Sequence, residues 1–468
     1  MSKSMQAFEA LSEIISTATP ESVKAALPQL FTQKNLDRES LERRIGAFLE
    51  WRKRGSFELV NVEKSAKQRL ELEIRFPITD DHWRLHVVLA EDGSGKIEEL
   101  LMGRAALPIL KGGEAAQVIA DRFIEYITHL GEQELFSGAV LIGCGDQILG
   151  ETAVGWANRD FEIPNTTNTR FNLASLTKSW TAIAIAQLIE QQHLSLSSKL
   201  CDLVAFDGHT FDDRIEIKHL LSHTSGLGDY FGPKFDETPK SSIRELDDFL
   251  RLAKTFDPAF APGTQWNYSN IGMILLGKII EKLTGQSYYN AIAQNVLTPA
   301  EMSDAFFPHF DRVNPTCAVG YGNQWTINGP IQINSLYSWA VRGGPDGCSY
   351  GTVHDVWGFA QALAKNTLIS SEMYTTMTSP KPELGSDDYG YGFAVLPDRA
   401  VIGHSGGLIG ASANLDIINA PKGWTVIILA NDLSMRTPVI KARQLIGVTM
   451  QERDEALPHL PRAGLTAR

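Results

Sequence analysis

Residues 169–190 read TRFNLASLTKSWTAIAIAQLIE, and the reading of this stretch decides the fold. From Thr181 onward the run is apolar on nearly every side, the pattern of a helix buried at the centre of a domain. At its head stand Ser175 and Lys178, spaced i and i+3, so that one helical face can bring them together. A serine hydroxyl is a poor nucleophile until a neighbouring base takes its proton. Lys178, partly desolvated at this place, has its pKa lowered and can serve as a neutral amine. Free N–H groups at the helix start favour the negative charge that develops during acyl transfer. The competing reading makes Ser175 a simple N-cap and Lys178 a solvated lysine. Ser-x-x-Lys is short enough to arise by chance, so the choice rests on what else the chain carries.

Two further clusters follow. Tyr268-Ser-Asn270 lies after the turn Pro262-Gly263 and before the apolar helix IGMILLGKIIEKL, which ends at Gly285. Tyr268 offers a phenolate-type base or proton shuttle, and Asn270 an amide for a substrate carbonyl. A core aromatic and a helix cap are the plainer alternatives. His404-Ser-Gly-Gly407 lies at the end of the strand RAVIGH and before ANLDIIN. Glycines there let backbone approach a ligand closely, and an oxyanion hole needs two such N–H donors. The plainer alternative is a Gly-rich turn between strands.

In this order, Ser-x-x-Lys, Tyr-x-Asn and His-x-Gly resemble the serine β-lactamase and penicillin-binding-protein superfamily, in its class C-like branch. FSGAVLIG, IKHLLSHTSGLGDY, PGTQWNYSNIGMILLGKIIEKLTGQSY and GHSGGLIGASANLDI extend the resemblance over about residues 114–450. It implies an acylated Ser175, a base role shared by Lys178 and Tyr268, and a substrate-side amide from Asn270. It also implies an oxyanion hole from the N–H groups of Ser175 and Gly407, with His404, Ser405 and Gly406 lining the substrate side. Where strong β-lactamases and DD-peptidases place a lysine to receive the substrate carboxylate, this chain has His404. That substitution looks more like the esterases and D-stereospecific aminopeptidases of the branch. The expected function is a carboxylesterase on small esters working through an acyl-enzyme. The alternatives are a D-stereospecific aminopeptidase or amidase, a DD-peptidase-like enzyme with weak β-lactamase activity, and a non-catalytic ligand or penicillin sensor. No cofactor or metal is implied.

Other candidate sites are weaker. Gly-x-Ser-x-Gly occurs around Ser349 and Ser405, but neither has the strand–turn–helix context of a nucleophile elbow, and Thr352 to Asp355 after Ser349 reads as a capping box. His219 and His223 have i, i+4 spacing without the glutamate of a zinc-protease helix, and His82 and His86 lie on one strand.

The rest of the chain sets the frame. Its 468 residues can build two or three domains, and a net charge of −12 argues against nucleic acid or an anionic membrane as partner. A small ester or amide is the expected partner, and self-association is left open. The four cysteines form no Cys-x-x-Cys and read as reduced, mostly buried thiols. Glu9 and Glu13 interrupt what a secretory leader would need as an apolar stretch, so the expected location is cytoplasmic.

Residues 5–54 read as helices, and FELVNVEK, RLELEIRF, WRLHVVLAE and KIEELLMGR as strands. Together they form a small α+β domain over 1–112 of unknown role, ending at the linker Lys111-Gly-Gly113. The hydrolase domain is placed at 113–453 and a frayed tail at 454–468. Strands near both ends of the larger domain, with residues 175–380 mainly helical between them, imply one antiparallel sheet closed by the two ends and flanked by helices, an α/β β-lactamase-like fold.

Overall fold

A computed structural model of the chain describes residues 2–66, 68–105, 114–396, 400–418 and 423–448. The expected linker at Lys111-Gly-Gly113 and the tail 454–468 lie outside them.

Helices α1 (Lys3–Ser16), α2 (Pro20–Leu30) and α3 (Leu41–Lys53) precede an antiparallel sheet of β1 (Glu58–Ser65), β2 (Arg69–Phe76), β3 (Asp81–Leu89) and β4 (Ile97–Arg104), paired in that order. Ser2, Thr19 and Ser40 accept hydrogen bonds at the three helix starts, which explains where each begins. The alternation of buried Leu70, Leu72, Ile74 and Phe76 along β2 turns one sheet face onto Leu11, Ile15, Val23, Ile45 and Phe48 of the helices.

The second sheet positions the site. After helix α4 (Ala116–Glu132) come β5 (Gly138–Cys144) and β6 (Gln147–Val154). The chain then passes through helices α5 (Thr177–Glu190) and α6 (Asn270–Thr284), the hairpin β7 (Tyr321–Thr326) and β8 (Gly329–Asn334), and helix α7 (Val353–Ala364). It returns as β9 (Ala394–Val395), β10 (Val401–Leu408), β11 (Ala411–Ile418) and β12 (Trp424–Ala430), and then helix α8 (Arg436–Ile446). The strand order is β9-β10-β11-β12-β5-β6, every pair antiparallel. The last strand of the chain thus pairs with the first of this sheet, as Ala430 opposite Gly138 and Trp424 opposite Cys144. β5 and β12 are buried on both faces because helices cover both. Helices α4 and α8 lie on one side, with Phe123, Ile127 and Val439 against Ile142, Val426 and Ile428. The largest core, on the other side, holds α5 and α6.

Three details depart from the sequence expectation. His404 to Gly407 is not a turn at the end of a strand but the middle of β10, paired residue for residue with β11. The hairpin β7–β8 lies inside the span expected to be helical, its strands joined by the two-residue turn Ile327-Asn328. The four cysteines are free, as expected, but only half-buried. No helix of the described residues is long and apolar enough to cross a membrane.

Candidate active site

Ser175 occupies a 3₁₀ turn, Ala174–Leu176, immediately before α5. Its predecessor Ala174 has φ +46°, a left-handed conformation that an L-residue adopts at a cost of about 1 kcal/mol. Surrounding bonds hold that turn. Asn172 Oδ1 accepts from the Ala174 N–H at 2.8 Å, the Leu173 N–H donates to the Ser349 carbonyl at 2.8 Å, and the Cys348 N–H donates to the Ala174 carbonyl at 3.2 Å. The Ser175 side chain caps nothing. Instead, Lys178 Nζ donates to Ser175 Oγ at 3.0 Å and also to the Asp346 carbonyl.

Lys178 is fully buried, and burial pulls its pKa down to about 8 against the opposing pull of Asp346 and Asp229. Its ammonium lies 4.8 Å from the centroid of the Tyr268 ring. The Tyr268 side chain interacts with that of Ser175, and burial, the larger effect, pushes its pKa well above the ordinary phenol range. Tyr268 therefore keeps its proton at neutral pH, which disfavours the phenolate anticipated from the sequence.

Asn270 opens α6, but Ser269 is the cap, its hydroxyl accepting from the Gly272 N–H at 3.0 Å. The Asn270 amide donates to Asp229 Oδ2 at 2.6 Å. Burial raises Asp229 to about 6. Asp346, whose carbonyl receives Lys178, also accepts from the Tyr230 hydroxyl at 2.6 Å through its carboxylate.

Strand β10 delivers the third cluster. A β-carbon on Gly406 would stand 2.6 Å from the Ser175 nitrogen and 2.6 Å from the Leu173 carbonyl oxygen, so only glycine lets the strand lie against the backbone of the nucleophile. Ser405 and Gly407 are half-buried and alternate with His404 and Gly406 along the strand. His404 is buried and both ring nitrogens are engaged. Its Nδ1 lies 2.5 Å from the Ser405 carbonyl, which can only accept, so Nδ1 carries the proton and Nε2 accepts from the Tyr389 hydroxyl at 2.9 Å. Burial, with the Lys178 charge adding to it, lowers its pKa to about 3, so the ring is neutral.

Two residues at the centre were not singled out from the sequence. The fully buried His223 accepts from the Ser269 N–H through Nδ1 at 3.2 Å and packs its ring 4.3 Å from Tyr268 and 4.9 Å from Tyr389. Tyr389 carries the stack on to His404. His223 had been weighed only as half of a metal pair. Its partner His219 instead closes a capping box, its Nδ1 accepting from the Glu216 N–H at 3.1 Å. The second signal available was HTSGLGDY, which also contains Asp229.

The rival serines stand in other settings, Ser405 along β10 and Ser349 behind the turn of Ser175. Ser349 is buried, with its hydroxyl 2.7 Å from that of Thr177, and the following Thr352–Asp355 capping box is present. His82 pairs with Glu73 at 2.7 Å on the first sheet.

Known proteins share this arrangement of chain. The family model described as Beta-lactamase matches residues 123–450. Penicillin-binding protein 4* of Bacillus subtilis is 30% identical over 338 residues, spanning 68% of this chain and 73% of that protein. Esterase EstB of Burkholderia gladioli is 31% identical over 207 residues, 42% of this chain and 53% of its own. The crystal structure of a penicillin-binding protein from Bacillus halodurans superposes with a TM-score of 0.58 at 30% identity, covering 68% of this chain and 97% of that one. This chain belongs to the beta-lactamase family and is a serine hydrolase of the β-lactamase and penicillin-binding-protein superfamily.

Proposed function

We propose that this serine hydrolase is a carboxylesterase for small esters, with Ser175 as the acylated nucleophile. Ser175 Oγ attacks the ester carbonyl, and its proton passes to the neutral amine of Lys178. Tyr268, protonated and beside Ser175, relays that proton to the leaving alkoxide as the C–O bond breaks. The carbonyl oxygen takes up negative charge between the N–H groups of Ser175 and Gly407. Water then attacks the acyl-enzyme, with Tyr268 and Lys178 again carrying the proton. Asn270, tethered to Asp229, lines the substrate side, and Ser405 and Gly406 complete the wall along β10.

The observation that carries the preference for esters is the state of His404. A neutral ring with both nitrogens occupied presents no cation to a β-lactam carboxylate. His404 acts through Tyr389 and the strand rather than by touching substrate. Trp339, packed with Ala174 and Leu408 beside the nucleophile, favours an apolar acyl group.

A panel of p-nitrophenyl acetate, butyrate and octanoate, a D-alanyl amide and a chromogenic cephalosporin tests this. The highest kcat/KM is expected on an ester. A higher value on the amide or the cephalosporin would overturn the reading, and a single burst without steady release would make the protein a sensor.

A further inference from the structure

The hairpin β7–β8 touches both the N-terminal helices and the strand that faces Ser175. At one end Trp325 lies against α3 so closely that a β-carbon on Gly46 would fall inside its indole ring. Gly329, the first residue of β8, stands so that a β-carbon there would be 3.5 Å from Leu49 of α3 and 3.5 Å from Pro20 of α2. At the other end the base of the hairpin meets the turn that joins β10 to β11. A β-carbon on Gly322 would be 2.6 Å from Ile409, and the Ser335 N–H donates to the Gly320 carbonyl at 2.9 Å. The chain leaving β8 runs directly into Trp339, whose indole N–H donates to the Ile409 carbonyl at 3.2 Å. Trp339 packs with Leu408, Ala411, Cys348 and Ala174, the residue before the nucleophile, and meets Phe231 edge-on at 6.4 Å. Phe231 is 45% exposed and Tyr337 85% exposed, so an apolar rim stands open to solvent next to the site.

We propose that the N-terminal helices and sheet set the acyl-chain preference of the enzyme by bracing this hairpin, with Trp325 as the positioning residue. Docked on α3, the hairpin holds Ile409 and Trp339 in place, and these fix the apolar wall beside Ser175. Acyl groups too short to reach the wall are indifferent to the brace, whereas longer ones depend on it. This inference rests on the esterase reading.

The test compares p-nitrophenyl acetate with p-nitrophenyl octanoate in the full-length protein. In Trp325→Ala, kcat/KM for the octanoate is expected to fall about tenfold or more, chiefly through KM, with acetate hydrolysis kept within about twofold. Gly46→Ala, an exchange that favours a helix interior by itself, is expected to produce the same loss by displacing the indole. The double variant is expected to be no worse than Trp325→Ala alone, since both act on one contact. Lys441→Met removes a different attachment of the N-terminal elements, the 2.8 Å ion pair with Asp80, and is expected to leave the octanoate-to-acetate ratio unchanged. An unchanged ratio in a folded Trp325→Ala protein, or an equal shift in Lys441→Met, would overturn the proposal. Should Trp325→Ala not fold, Gly46→Ala and Trp325→Leu carry the same readout. A wild-type protein that turns over no ester would instead defeat the esterase reading, which separates the two failures.

Discussion

In the proposed mechanism, catalysis at neutral pH depends on Lys178. An ordinary lysine at pH 7 is protonated almost completely and cannot accept the serine proton. Burial brings Lys178 to about 8, which leaves roughly a tenth of it neutral at pH 7 and most of it neutral at pH 9. The active form is the deprotonated one, so kcat/KM is expected to rise with pH through an inflection near 8 and then level off. A pH–rate profile on p-nitrophenyl acetate checks this, corrected for spontaneous hydrolysis. A profile flat from pH 6 to 9 would remove Lys178 from the base role. In Lys178→Met the inflection is expected to vanish and activity to fall on the order of 10³-fold. Ser175 and Lys178 were legible as candidates because their spacing is local, and Tyr268 because Tyr268-Ser-Asn270 follows them in the order that the resemblance carries. The neutrality of His404 was not, because Tyr389 and the Ser405 carbonyl become its partners only when β10 is formed and buried. His223 was hidden for the same reason: its partners Tyr268 and Tyr389 are brought to it by folding.

At the scale of elements, the turn before α5 and the strand β10 form one unit. The left-handed Ala174 shapes the turn that carries Ser175, and Gly406 lets β10 approach its backbone nitrogen. Gly406→Ala is expected to push the strand away from the nucleophile and lower kcat by about 10²-fold or more, the scale of losing one oxyanion donor. Circular dichroism is expected to remain native, and activity within a few fold of wild type would contradict this account of the strand. From sequence, the glycines of His404-Ser-Gly-Gly407 read as punctuation after RAVIGH. In the fold Gly406 is required inside a strand, because the neighbouring element is backbone rather than side chain. The hairpin β7–β8 was lost inside a helical span, its turn being only Ile327-Asn328. The partners of Trp325 and Gly322 are distant in sequence, and no local pattern announces them.

For the whole molecule, the sheet closed by both ends of the hydrolase region was legible from strand-like runs at 138–154 and 401–430 with helices between. Pairing β12 with β5 places α5 in the core and holds Ser175 in the turn at the head of that buried helix. The N-terminal elements were visible as an α+β unit, but their reach to the site through Trp325 and Ile409 was not, since it depends on how two sheets and a hairpin are assembled. The fold also ranks the three serines that a motif search offers. Ser349 is closed in the core, Ser405 lies along β10, and Ser175 has Lys178 at its hydroxyl with Tyr268 beside it. Steady-state hydrolysis of p-nitrophenyl butyrate by Ser175→Ala, beside Ser349→Ala and Ser405→Ala, tests the central claim most directly. Ser175→Ala is expected to lose on the order of 10⁴-fold or more in kcat with its melting temperature preserved, the other two retaining measurable turnover. Near-normal turnover in Ser175→Ala, with loss in either of the others, would contradict it.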